Sequence, residues 1–193
     1  SLSARASVHT ISFKRAYPAF LYPGKSNYEP GYEGHKETDT QYLIDSLNPW
    51  TWAKACRQLL SHSPEILVLP WWTAFWAPCF LYITWRLRRA GIRVIFMCHN
   101  VRDHESSGWK TALSRTVLSF GNAFVVHSAS EARQLRELLP DSRVIVHPHP
   151  VYEHFPPAVG ALKRRARTEL LFFGFVRPYK GVDILLNAIS MLK

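Results

Sequence analysis

ILVLPWWTAFWAPCFLYITWRLRRAGIRVIFMCHN, residues 66–100, decides the fold. Ile66–Leu69 is a short apolar run of the kind that forms a buried parallel strand, and Pro70 closes it. From about Phe75 to Ala90 the apolar residues fall at helical spacing, and Gly91 supplies a left-handed stop. Ile92–Cys98 is a second apolar run, flanked by Arg93. Strand, helix and strand within 33 residues make a βαβ unit, which requires a parallel pair and a crossover. The same stretch imitates a membrane span, because Ile66–Trp85 holds no charge and Arg86, Arg88 and Arg89 follow it. Pro70 and Pro78 interrupt it, so the strand–turn–helix reading is the expected one.

The alternation continues on both sides. Upstream, Asn48 is a helix cap with Pro49 at the first position, and Trp52, Ala55, Cys56, Leu59 and Leu60 share a face until Ser61–Pro64. Downstream, Trp109–Phe120 has helical spacing ended by Gly121, and Ala123–Val126 is a short strand. Ser128 or Ser130 then caps a helix with Ala132, Leu135, Leu138 and Leu139 on one face, closed by Pro140, and Val144–Val146 is a further strand. The expected class is α/β, a Rossmann-like, doubly wound parallel sheet covered on both faces. Ser7–Phe13 reads as a first strand. Lys14–Thr40, rich in Tyr, Pro, Gly and charge, reads as a long functional loop.

Around residue 150 the texture changes. HPHPVYEHFPPAVG, residues 147–160, is dense in proline and glycine, and Lys163, Arg164, Arg165 and Arg167 follow. Residues 1–150 thus form one domain, 151–168 a linker and 169–193 the start of a second domain. In that start, Glu169–Phe173 is the expected strand, Gly174–Gly181 the turn and Val182–Leu192 the helix. A single βα unit cannot bury its own apolar faces, so the second domain is expected to be incomplete.

Composition limits the function. In 193 residues, 47% are hydrophobic and 20% charged, which excludes a disordered tail. Lys and Arg number 24 against 14 Asp and Glu, a net charge of +10 that favours anionic partners. Cys56, Cys79 and Cys98 stand apart in apolar stretches without a CxxC pair and read as reduced, buried thiols. The first residues lack the apolar core of a signal peptide, so a cytoplasmic protein is expected, with peripheral contact to an inner membrane face open to it.

In open parallel sheets ligands bind beyond the carboxyl ends of strands, which selects Pro70–Thr73, His99–Gly108, His127–Ser130 and Gly174–Gly181. FFGFVRPYKG, residues 172–181, combines Gly174 with Arg177 and Lys180 just before a helix start, the ingredients of a diphosphate site. It is not a Walker loop, and no GxGxxG occurs. The same residues also read as a βα turn with two solvated cations, and spacing alone does not separate the two. CHNVRDHE, residues 98–105, places His99 at a strand end with Asn100, Asp103, His104 and Glu105 behind it. An imidazole there can donate to a sugar hydroxyl or phosphate oxygen. The same groups are metal ligands in kind, but no HExxH spacing presents two imidazoles together, and no metal site is expected. His147 and His149 read as linker packing. The tryptophan-rich segments, Pro49–Trp52 and Trp71–Trp76, read first as core and second as stacking surfaces for sugar or lipid.

Four segments in order, CHNVRDHE, NAFVVHSASEARQL, VIVHPHPVYEHF and LLFFGFVRPYKGVDILLNAI, resemble family 4 glycosyltransferases of the GT-B fold. The resemblance runs from about Val8 to the end. It implies two Rossmann-type domains across a cleft, the first meeting the acceptor and the second holding a nucleotide sugar. It implies transfer with retention of configuration and without an essential metal or other cofactor. His99 matches the family histidine that reaches the donor sugar, and Lys180 the basic residue that neutralises the leaving diphosphate, with Gly174 and Arg177 beside it. The family commonly has arginine directly after the glycine of this loop; this chain has Phe175 there and Arg177 two positions on. Asn100, His104, Glu105 and the Tyr-rich loop are acceptor-side candidates, the acceptor being a sugar, a lipid-linked sugar or another hydroxyl. The family's first strand with its glycine-rich loop would precede Ser1, and its paired-glutamate motif would follow Lys193. The resemblance therefore implies a fragment that is not active alone. The alternative reading is a non-catalytic basic module for anionic lipid or nucleic acid, although no RNP, helix-turn-helix or zinc-finger pattern supports nucleic acid.

Overall fold

The computed structural model describes residues 6–18, 40–101, 108–149, 169–174, 176 and 180–192. The chain divides into two units, Ser1–Pro150 and Val151–Lys193. In the first, Thr10–Arg15 (β1) and Thr40–Asp45 (β2) form a parallel pair with an irregular register. Arg15 closes on Asp45 at 2.7 Å, and the amide of Ser46 donates to the Arg15 carbonyl, so the pair is pinned at its carboxyl end. The second ladder is a four-stranded parallel sheet in the order β3–β4–β5–β6, from Ile66–Trp71, Arg93–Cys98, Ala123–Val126 and Val144–Val146.

Helices fill the connections from β2 to β6. Pro49–Ser61 (α1) is capped by Asn48, whose side chain accepts from the Trp50 amide at 3.1 Å. Its indole Trp52 donates to the Asp45 carbonyl at 2.7 Å, which ties α1 to β2. A 3-10 turn, Ala74–Trp76, leads into Ala77–Arg89 (α2), and Gly91 has the left-handed φ of +82° expected of the stop after it. The apolar run Ile66–Trp85 is thus divided among a strand, a turn and a helix. Among the described residues no helix is long and apolar enough to cross a membrane. Gly108–Leu118 (α3) and Ala129–Leu138 (α4) complete the first unit.

The core sits on one face of the sheet. Leu67, Leu69 and Trp71 of β3, Val94, Phe96 and Cys98 of β4, and Phe124 and Val126 of β5 are buried, packed with Phe80, Ile83, Leu87, Val117, Leu118 and Leu135. Ile66, Val68, Ile145 and Val146 are exposed, so burial of both faces, expected from the apolar runs, holds only in part. Alternation accounts for Ile66, Val68 and Ile145, which lie on the outer face. Val146 pairs with the buried Val126 on the inner row and is exposed at β6, the last strand of the described ladder. All three cysteines are free and buried, as expected.

In the second unit Glu169–Phe173 is not a strand. A strand exists by pairing, and no described residue forms a ladder with these five. Val182–Ser190 (α5) is a helix, with Gly181 at φ +63° as its cap and none of its residues buried. The proposed linker, 151–168, lies outside the described residues.

Candidate functional site at the strand ends

The parallel register aligns the carboxyl ends of the sheet. Trp71 pairs with Cys98, Cys98 with Val126, and Val126 with Val146. The ladder runs one step further, because the His99 amide donates to the Trp71 carbonyl and the His147 amide to the Val126 carbonyl, both at 2.8 Å. Trp72, His99, His127 and His147 therefore stand in one row beyond the core. Since Trp71, Cys98 and Val126 point into the core, the next position on each strand points away from it.

His99 lies at the end of β4 and is half-buried. The exposed indole of Trp72 meets it edge-on at 5.4 Å and is itself held by a 3.1 Å hydrogen bond to the Tyr17 hydroxyl. On its other side are two imidazoles, His127 at 4.9 Å and His149 at 5.9 Å between ring centres, and these two lie 5.0 Å apart. Burial, then the neighbouring imidazoles, hold His99 below the usual imidazole range; the Glu131 carboxylate acts in the opposite direction. The ring is thereby kept neutral, able both to donate and to accept.

His127 is fixed by the start of α4. Ser128 caps that helix, accepting from the Glu131 amide at 3.2 Å, and the Glu131 carboxylate accepts from the His127 amide at 3.0 Å. This is a capping box displaced by one residue toward the N-terminus. The His127 ring then donates from Nδ1 to the His147 carbonyl at 3.0 Å, which leaves Nε2 as an acceptor. That Nε2 is buried and has no hydrogen-bond partner among the described residues.

The sequence singled out His99 and the loop starting at His127, and the structure brings both to one place. It also brings His149, which the sequence alone reads as linker packing: three residues beyond β6, its ring lies 5.9 Å from His99 and 5.0 Å from His127. The available signal was the repetition of histidine after each apolar strand, MCH, VVH and VIVHPH. Asn100 follows His99 and is exposed. His104, Glu105 and Arg177 lie outside the described residues. Gly174, at φ +122°, and Lys180, just ahead of α5, belong to the second unit. The tryptophans divide between the two roles considered for them: Trp71 and Trp76 are core, whereas Trp72 borders the site and Trp50 is 84% exposed.

A parallel α/β sheet with polar groups gathered beyond the strand ends is of the Rossmann-like class, in which ligands are received at that end of the sheet. The chain belongs to Glycosyltransferase Family 4, whose sequence profile matches residues 5–155. Among curated proteins it is similar to a GDP-mannose:glycolipid 4-beta-D-mannosyltransferase of Xanthomonas campestris pv. campestris, 29% identical over 111 residues. That match covers 56% of this chain and 30% of the mannosyltransferase, so the chain spans less than a third of that enzyme. No solved structure matches it.

Proposed function

We propose that the chain supplies the acceptor-side domain, residues 1–150, and the opening of the donor-side domain, residues 169–193, of a glycosyltransferase that uses a nucleotide-sugar donor. The observation that carries this reading is the family match over residues 5–155 together with His99 at the carboxyl end of β4, where such a sheet receives a ligand. In this proposal His99 hydrogen-bonds the transferred sugar. Gly174, Arg177 and Lys180 meet the donor diphosphate, where a fixed cation stabilises the charge that develops on the leaving group. Asn100, His104 and Glu105 face the acceptor.

The mannosyltransferase relative makes GDP-mannose the first donor to test and a glycolipid the first acceptor. The whole protein, given GDP-mannose and lipid-linked acceptors, is expected to release GDP and form a glycosylated lipid. Lys180→Ala is expected to lower kcat about a hundredfold, the scale of one lost transition-state contact. Unchanged turnover would remove Lys180 from the role. Retention, which the family resemblance implies, is tested by the anomeric configuration of the product; a product of opposite configuration to the donor replaces it with inversion.

Contact with the cytoplasmic face of a membrane is part of the same proposal, supported by the exposed Trp50, Trp85 and Trp109 and the net charge of +10. Sedimentation with anionic vesicles that weakens with salt is the expected result. Vesicle binding without any sugar transfer would favour the basic-module alternative.

A further inference from the structure

We infer that His99, His127 and His149 form a binding site for a zinc-class divalent cation, each imidazole giving one nitrogen. One nitrogen from each ring lies within 4.8 Å of the others. Tetrahedral zinc with nitrogen at 2.0–2.1 Å brings its ligands to about 3.3 Å apart, so closure needs about 1.5 Å of movement at most. His149 is exposed, on a short segment after β6, and is the ring placed to make that movement.

The second observation is the state of His127. Its Nδ1 hydrogen is committed to the His147 carbonyl, and the nitrogen opposite, Nε2, is buried with an unused lone pair. A backbone carbonyl that fixes the tautomer of a histidine is the usual outer partner of a metal-ligating imidazole. An orphaned acceptor calls for a cation or a donor and is repelled by an anion, which argues against a phosphate at this point. Neutral imidazoles suit zinc, cobalt, nickel and copper, while magnesium and calcium prefer oxygen. Three imidazoles leave the fourth tetrahedral position open for water or a ligand oxygen.

The inference does not rest on the glycosyl-transfer reading, and its test reads metal rather than turnover. The intact protein, stripped with a chelator and dialysed, is titrated with Zn²⁺ by calorimetry and with Co²⁺ by visible absorption. One equivalent per chain is expected, with the d–d bands of four-coordinate cobalt. His149→Ala and His127→Gln are each expected to weaken binding by about tenfold or more. His62→Ala is expected to leave it unchanged, because His62 stacks on His9 away from the cluster. Absence of stoichiometric binding, or binding equally strong in His149→Ala, overturns the inference. If His127→Gln does not fold by circular dichroism, the exposed His149→Ala decides alone.

Discussion

Gly121 marks where the chain leaves α3 for β5, and its lack of a side chain is required by packing rather than by backbone conformation. A Cβ there would meet the Phe124 ring at 2.6 and 2.9 Å and Phe96 at 3.0 Å. Those two rings are buried and stacked 6.0 Å apart, so neither can swing aside. Gly121→Ala should therefore cost about 1–3 kcal/mol, read as a lower denaturant midpoint at unchanged m-value. The cysteines carry a second residue-scale prediction. Burial raises the thiols of Cys79 and Cys98 to about 12 and that of Cys56 to about 11, although Arg86 pulls the last one down. Thiolate is the reactive form, so none of the three should react with a thiol reagent at neutral pH until the protein is unfolded. Rapid labelling of the folded protein would contradict their burial. That the cysteines were buried could be read directly from their apolar neighbours. The gathering of His127 and His149 could not, because it depends on strand register, which residue spacing along one chain does not express.

At the scale of elements, the best-read parts were those with caps and stops. Asn48-Pro49 and Gly91 carry local signals that no distant contact overrides, and α1 and α2 appear within a few residues of their expected limits. The strands of the second ladder were legible because each is a short apolar run. β2 was not: TQYLID alternates only loosely, and it follows a stretch whose composition reads as loop. Glu169–Phe173 failed in the other direction, an apolar run that forms no ladder with any described residue. Ser128 offers a test of one local device. Its cap starts α4 and, through Glu131, holds the His127 amide. Ser128→Ala should cost about 1 kcal/mol of stability. It should also shift the His127 ring resonances in NMR; loss of stability with His127 unmoved would separate the cap from the site.

On the scale of the whole molecule, the class was legible and the composition of the site was only half so. His99 was found from its place at a strand end, whereas Asp103, His104 and Glu105, its neighbours in sequence, lie in 102–107 outside the described residues. The groups that do meet it come from separate βα units. Each of β4, β5 and β6 delivers one imidazole: His99 and His127 meet through the pairing of β4 with β5, and His149 completes the three only when β6 has joined. The site is therefore a gauge of sheet completion. A ligand that binds only the assembled sheet stabilises it by mass action, about 2.7 kcal/mol at a hundred times its dissociation constant. Zinc should raise the melting temperature in proportion to the logarithm of its concentration, and His149→Ala should move that rise to zinc concentrations about tenfold higher or more. A protease cut between β5 and β6 would release the last of the three imidazoles, so zinc should protect that connection from digestion more than any other in the chain.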